Sequence, residues 1–362
     1  MARVFLTAPF DAPDFTDIVC PQVAVTPGTL AGYRQGIRSD GVPWICPDAQ
    51  SAAKGVFVEL NQSALANLTH VTQVLGAPWR KVTENGAPVL IFASERSEEQ
   101  AGNVDHTRGA LSAMLGEAAI EILGYRGRLS MPEIATRRQM ILARAWARVA
   151  AQGAAPTDRR SARPAHDVRV TDMEATHEGY FLTRRYHLRH PVFAGGLSAE
   201  VAREVFVATD AALVLPYDPV TDRLLLVEQF RMGPFGRGDP KPWVLEPVAG
   251  RVDAGETPEA CAVRECQEEA HLDLSGLEHI SSHYCSPGCS TEVFHCYVGL
   301  CDLANRGDGK GGLADEHEDI ATHILSFDDA MTLTRTGEIN IGPLLLMLLW
   351  LERERPRLRA VA

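Results

Sequence analysis

Gly250-Arg251-Val252-Asp253-Ala254-Gly255-Glu256-Thr257-Pro258-Glu259-Ala260-Cys261-Ala262-Val263-Arg264-Glu265-Cys266-Gln267-Glu268-Glu269-Ala270 reads as a loop that turns into a helix. Thr257 is an N-cap residue type. Pro258 suits the first helical position, since its φ is already helical and its missing N–H is one the first turn leaves unpaired. Glu265, Glu268 and Glu269 then stand at i, i+3 and i+4, and at about 100° per residue their carboxylates crowd one face. Like charges so placed repel, and a solvated helix gains nothing from them. A hard divalent cation turns the repulsion into coordination, because Mg²⁺ takes oxygen ligands, keeps several waters and completes its shell with phosphate. Ala260, Val263, Cys266 and Ala270 form an apolar face expected to pack on a sheet.

Working outward, the segments around this helix alternate as strands. Ala212–Tyr217 and Leu224–Phe230 flank the turn Asp218-Pro219-Val220-Thr221-Asp222, with further strands at 243–248, 291–300 and 320–327 and two terminal helices from near Asp328 and Asn340. Val168 to Leu188 alternates more loosely. Upstream, Gly153-Ala154-Ala155-Pro156-Thr157-Asp158 has linker composition, and helical spacing is expected over 107–123 and 132–151. Residues 1–92 read as a small α+β pattern, with strands at 3–6, 55–60 and 88–92, a helix over 63–74 and a turn at Pro27-Gly28.

The 362 residues exceed one typical domain, and 45% hydrophobic with 23% charged residues is ordinary for a globular chain. Residues 166–362 hold 18 Lys and Arg against 32 Asp and Glu, a balance of −14 beside −12 for the whole chain. That acidity argues against nucleic acid and anionic membrane as partners and suits a protein that collects cations. No signal peptide is read at the N-terminus and the longest apolar run, near 341–351, is about half the ~20 residues of a membrane span, so the expectation is cytoplasmic, with the eight cysteines reduced. Cys285, Cys289, Cys296 and Cys301 lack paired C-x2-C knuckles and are read as structural thiols.

The spacing G-x5-E-x7-R-E-U-x-E-E, with U apolar, resembles the Nudix box, and seven defined positions match in register. One departs: His271 stands where that family has Gly, at a helix exit that favours φ > 0. The likeness extends over residues 168–352 to the ADP-ribose pyrophosphatase branch, carried by Val227-Glu228-Gln229-Phe230-Arg231, Glu246-Pro247-Val248-Ala249-Gly250, Ser286-Pro287-Gly288 and Gly312-Leu313-Ala314-Asp315-Glu316-His317-Glu318. The resemblance implies an α/β/α sandwich with a mixed sheet and Mg²⁺-dependent hydrolysis of ADP-ribose to AMP and ribose 5-phosphate, with Mn²⁺ as a substitute. It implies metal ligation by Glu265, Glu269, Glu318 and the Ala249 carbonyl, and catalytic roles for Arg264, Glu268, Glu269, Glu316 and Glu318. Arg231, Glu246, Gly250 and Glu292 are the implied substrate contacts, and a homodimer with strands before residue 210 crossing between subunits is the implied assembly. Two readings stand beside it: the same chemistry on another nucleoside diphosphate sugar or dinucleotide, and a nucleotide-sensing stress-response module without catalysis.

Residues 1–92 resemble the γ-glutamylcyclotransferase-like fold, a small α+β barrel, through Val4-Phe5-Leu6, Gly28-Thr29-Leu30-Ala31-Gly32-Tyr33-Arg34, Gly55-Val56-Phe57-Val58-Glu59-Leu60 and Leu65-Ala66-Asn67-Leu68-Thr69. Fusions of this fold to a Nudix domain form a group associated with tellurite resistance. The substrate loop of that family is Thr7-Ala8-Pro9-Phe10 here, and its acid/base Glu aligns with Thr72, which has no titratable group near neutral pH. The expected organisation is an inactive cyclotransferase-like domain at 1–128, a helical linker at 129–165 and a Nudix domain at 166–362.

Overall fold

In a computed structural model, residues 1–92, 108–153, 156–313 and 318–360 are described, and the chain divides into two compact units. Unit 1 is Met1–Thr209 with Asp253–Gly255, and unit 2 is Asp210–Val252 with Glu256–Ala362.

Unit 1 begins β1 (Ala2–Thr7), α1 (Pro13–Val19), β2 (Val25–Ile37), β3 (Pro43–Leu60), α2 (Gln62–Val74), β4 (Trp79–Glu84) and β5 (Ala87–Phe92). These strands form one mixed sheet in the order β2-β3-β1-β5-β4, with β1 parallel to β5 and the other pairs antiparallel. Val4, Phe5 and Leu6 of the central β1 are fully buried. Asn85-Gly86, both at positive φ, join β4 to β5 in a two-residue turn whose twist matches the strands. Asn61 caps α2, accepting a hydrogen bond from the Ala64 N–H at 2.9 Å. The turn expected at Pro27-Gly28 is absent, and both residues lie inside β2. β2 is an edge strand, where a proline without an N–H is tolerated, and Gly28 lets the Phe57 ring cross its face, since a Cβ there would lie 2.6 Å from that ring.

The unit continues with α3 (Arg108–Gly124), α4 (Met131–Ala135), α5 (Arg138–Ala150), β6 (Arg169–Glu178), β7 (Leu182–Arg189) and β8 (Val201–Val207). The expected helix over 107–123 is α3, and Thr107 itself lies outside the described residues. The helical stretch read as a linker places Ile134, Ile141, Leu142 and Ala145 in the unit's core, and Arg144 of α5 is held by Glu121 of α3 at 2.5 Å. β6–β8 form a separate antiparallel sheet, and Val170 and Met173 on β6 and Phe181 in the β6–β7 turn are exposed.

Unit 2 comprises β9 (Ala211–Asp218), β10 (Arg223–Phe230), α6 (Met232–Arg237), β11 (Trp243–Glu246), β12 (Val248–Arg251), α7 (Pro258–Ala270), β13 (Gly276–Tyr284), β14 (Val293–Leu300), β15 (Gly309–Gly311), β16 (Ile320–Ser326), α8 (Phe327–Thr336) and α9 (Gly342–Ala360). Its mixed sheet runs β13-β14-β9-β10-β16-β15, and the β14–β9 pair is parallel. β9 and β10 pair only next to their connecting turn. They then diverge, and β12 takes the vacated edge of β9 while β11 takes that of β10. This wedge delivers the chain into α7. Asp218 fixes the turn by accepting from the Val220 and Thr221 N–H groups and from the Leu303 N–H.

Leu213, Leu215 and Tyr217 of β9 join Cys296, Val298 and the apolar residues of α8 and α9 in one cluster. The alternate residues Ala212 and Val214, also fully buried, face the other side by the period of two, where α7 packs on β9 and β12. The result is the expected α/β/α sandwich. Among the described residues no helix is long and apolar enough to cross a membrane.

Candidate active site

α7 begins as its sequence requires: the Thr257 hydroxyl accepts from the Ala260 N–H at 3.1 Å and Pro258 opens the first turn. The face it buries matches the expectation at Cys266 and Ala270 and departs from it elsewhere. Cys261, Ala262, Cys266, Glu269 and Ala270 are buried, whereas Ala260 and Val263 are exposed. The packed stripe runs 261, 262, 265, 266 and 269, so Glu265 and Glu269 are turned toward the sheet and away from bulk water. Two contacts make room for them. A Cβ on Gly250 would fall 1.8 Å from Glu265 Oε1, so only glycine lets that carboxylate lie on β12. Glu269, 1% exposed, accepts a 3.1 Å hydrogen bond from the Ala249 N–H.

Arg264 gathers the remaining acids. Its Nε and Nη2 reach both oxygens of Glu256 at 2.9 and 3.0 Å, and its Nη1 reaches Glu265 at 2.6 Å and Glu268 at 2.9 Å. A planar guanidinium can serve three carboxylates in this way, where an ammonium could not. Burial raises the Glu269 carboxyl to about 8, opposed by the Ala249 N–H and supported by the charges of Glu265 and Glu318. Burial likewise raises Glu265 to about 7, opposed by Arg264 and supported by Glu268 and Glu318. The charge of Glu318 thus acts on both carboxyls. Its carboxylate accepts from the Leu313 N–H at 3.1 Å.

Arg231 and Glu246, expected as separate substrate contacts, form an ion pair at 2.6 Å. Burial raises the Glu246 carboxyl and Arg231 opposes that shift. The Arg231 charge also lowers Glu269 slightly, against the larger effect of burial. Glu292 sits apart from these contacts, in the β13–β14 connection, accepting from the Cys285 thiol at 3.1 Å. Glu316 lies outside the described residues. Trp79 packs edge-on against Phe92, and Trp243, 57% exposed, meets Phe230 edge-on.

His271 takes the left-handed conformation, φ 51° and ψ 42°, and so performs the turn expected of glycine. Sequence reasoning missed the residue that secures this exit. Arg306 donates to the Ala270 carbonyl at 3.2 Å and to the His271 carbonyl at 2.5 Å, satisfying oxygens that a helix end leaves unpaired. No spacing ties Arg306 to the box, since it lies 35 residues beyond His271.

Among the described residues, no three His, Cys, Asp or Glu side chains converge as a ready cation site. Arg264 explains this physically, because its charge draws Glu265 and Glu268 to itself. The donor set still fits a hard divalent cation: all-oxygen, partly desolvated, and with two carboxyls pushed up in pKa by burial and by one another.

The profile described as NUDIX domain matches residues 207–345. An ADP-ribose pyrophosphatase of Haemophilus influenzae is 37% identical over 188 residues, 51% of this chain and 86% of that protein. The chain belongs to the Nudix family. An ADP-ribose pyrophosphatase of Escherichia coli K12 is 37% identical over 194 residues, 54% of this chain and 92% of that protein. A GDP-mannose pyrophosphatase of Salmonella arizonae is 34% identical over 149 residues, 41% of this chain and 76% of that protein. The Nudix assignment accounts for the register of Arg264, Glu265, Glu268 and Glu269 on α7 and of Glu256 in the loop before it.

Proposed function

We propose that this Nudix chain hydrolyses ADP-ribose to AMP and ribose 5-phosphate with a divalent cation, Mg²⁺ in the first place and Mn²⁺ as a substitute. The observation that carries the reading is the arrangement on α7: Glu269 sealed against β12, Glu265 and Glu268 clamped by Arg264, and Glu318 within reach of the first two. Glu265, Glu269, Glu318 and the Ala249 carbonyl would hold the cation. When bound, it neutralises diphosphate oxygens and lowers the pKa of water. Glu318 or Glu316 accepts the proton of the attacking water, and Glu268 helps to orient the cluster. Arg231 and Glu246 orient the nucleotide, Arg231 through phosphate and Glu246 through the base, while Gly250 keeps the backbone low enough for close approach. Water adds across one P–O bond of the diphosphate, and each product leaves with one phosphate.

ADP-ribose is favoured over a GDP-sugar by the higher identity and coverage of the ADP-ribose pyrophosphatases. The deciding measurement is kcat/KM for ADP-ribose, GDP-mannose and other nucleoside diphosphate sugars. ADP-ribose should rank first, and a higher value for a GDP-sugar overturns the substrate while leaving the chemistry.

The same proposal includes a cytoplasmic location and a homodimer; the exposed Val170 and Met173 of β6 and Phe181 of the β6–β7 turn support the dimer, since three strands need a covered apolar face. It retains the domain limits 1–128, 129–165 and 166–362, with an N-terminal domain that is not a working cyclotransferase. Thr72 is fully buried there and its hydroxyl donates to the Leu68 carbonyl at 2.8 Å, so neither a carboxylate nor a free hydroxyl stands at that position.

A further inference from the structure

We infer that Gly311 and Gly312 are positioning residues that dock the Glu318 loop onto the backbone of the last turn of α7, so that Glu318 is held against Glu265 and Glu269. The inference rests on the proposed cation-dependent site and adds how its parts are kept in register. β15 and β16 form a hairpin in which Gly311 pairs with Ile320, and Glu318 stands at the base of the connection. Two reciprocal hydrogen bonds close that base: the Leu313 N–H reaches the Glu318 carboxylate at 3.1 Å and the Glu318 N–H reaches the Leu313 carbonyl at 3.3 Å. The closed base is then fixed to α7. The Gly312 N–H donates to the Glu268 carbonyl at 3.3 Å, one of the oxygens a helix end leaves without an internal partner.

Neither glycine has room for a side chain. A Cβ on Gly311 would lie 1.6 Å from the Glu269 carbonyl oxygen, and that neighbour is backbone of the metal-site helix itself. Gly312 lies at φ +88°, in the region that favours glycine, and its Cβ would lie 2.8 Å from the Glu318 Cβ. The two positions therefore meet opposite parts of the site: Gly311 abuts the residue that carries the buried carboxylate, and Gly312 abuts the residue that supplies the second acid. A methyl on Gly311 must part the loop from the helix, and one on Gly312 must push Glu318 out of its place at the base of the hairpin.

The test is a cycle on the full chain with Gly312→Ala, Glu318→Gln and the double variant, read by Mn²⁺ affinity from electron paramagnetic resonance and by kcat and KM. Gly312→Ala should weaken Mn²⁺ about tenfold or more, in the range seen when groups that orient metal ligands are removed, and lower kcat with KM little changed. The double variant should bind Mn²⁺ within about twofold of Glu318→Gln, because a displaced loop has no Glu318 left to lose. Wild-type Mn²⁺ affinity in Gly312→Ala, or losses that multiply in the double variant, overturn the inference. If the alanine variant does not fold, Gly312→Asn serves, since Asn accepts positive φ yet still meets the Glu318 Cβ. Failure of the activity reading would show separately, as absent ADP-ribose hydrolysis by the wild type, and the Mn²⁺ readout does not depend on it.

Discussion

Replacing Arg264 by Ala removes a cation that touches Glu256, Glu265 and Glu268 together. The three carboxylates are 15%, 12% and 30% exposed, so none can recover full hydration where it stands. Removing one partner of a fully buried ion pair costs about 3–5 kcal/mol, chiefly for the charge left behind. Arg264 is 32% exposed, so screening reduces the figure to about 2–3 kcal/mol. A unit of this size shifts by about 2–4 °C per kcal/mol, which gives a fall of roughly 5–10 °C. The assay is calorimetry of the metal-free full chain at pH 8, following the transition that moves when Mg²⁺ or Mn²⁺ is added. Arg264→Lys should fall between, since an ammonium keeps the charge but loses the bidentate grip on Glu256. Added cation should recover part of the loss in Arg264→Ala by replacing the missing charge. A transition within 1 °C or so of wild type would refute the reasoning, because it would mean that the guanidinium does not hold the cluster.

Three further outcomes follow from the same site. Glu269 and Glu265 have folded pKa values of about 8 and about 7 against an ordinary 4.5, so between those values the folded chain keeps protons that the unfolded chain has released. Their contribution to stability is therefore present below pH 4.5 and lost as pH rises to 8, and metal-free Glu269→Gln should melt above wild type at pH 8.5 and level with it at pH 4.5, with equal gaps at both pH values as the contrary result. Cation affinity of the wild type should rise over the same window, as ligation needs the ionised forms. His271→Gly should leave stability level or raise it by about 0–1 kcal/mol, because relief of a left-handed residue offsets the added freedom of the unfolded chain. A clear fall in its melting temperature would show that the imidazole, whose Nδ1 lies 3.1 Å from the Gln267 carbonyl, carries the helix exit.

The start of α7 and the grouping of its acids were legible because local rules decide them. Thr257, Pro258 and the i, i+3, i+4 acids are fixed by helix geometry alone, and Arg264 is within one residue or one turn of every acid it binds on the helix. The face of the helix was not legible. Periodicity ranked Ala260 and Val263 as apolar and therefore buried, while the fold buries Glu265 and Glu269, because Gly250 and the Ala249 N–H accommodate them. That is a tertiary fact about β12. Pro27 misled for a related reason: a proline reads as a turn until the sheet order makes its strand an edge. Arg306 and the Gly311 contact were beyond reach, since each depends on segments far apart in sequence meeting at the end of α7. The linker composition near 153–158 is real, yet the compact units divide at Thr209 and Asp210, where composition does not change.

The most direct test of the account is release of AMP from ADP-ribose by the purified full chain with Mg²⁺, measured beside Glu269→Gln under the same conditions. The account predicts AMP and ribose 5-phosphate in equal amounts from the wild type, none without a divalent cation, and at least about a hundredfold less from Glu269→Gln. No AMP from the wild type, or equal release from both proteins, would contradict it.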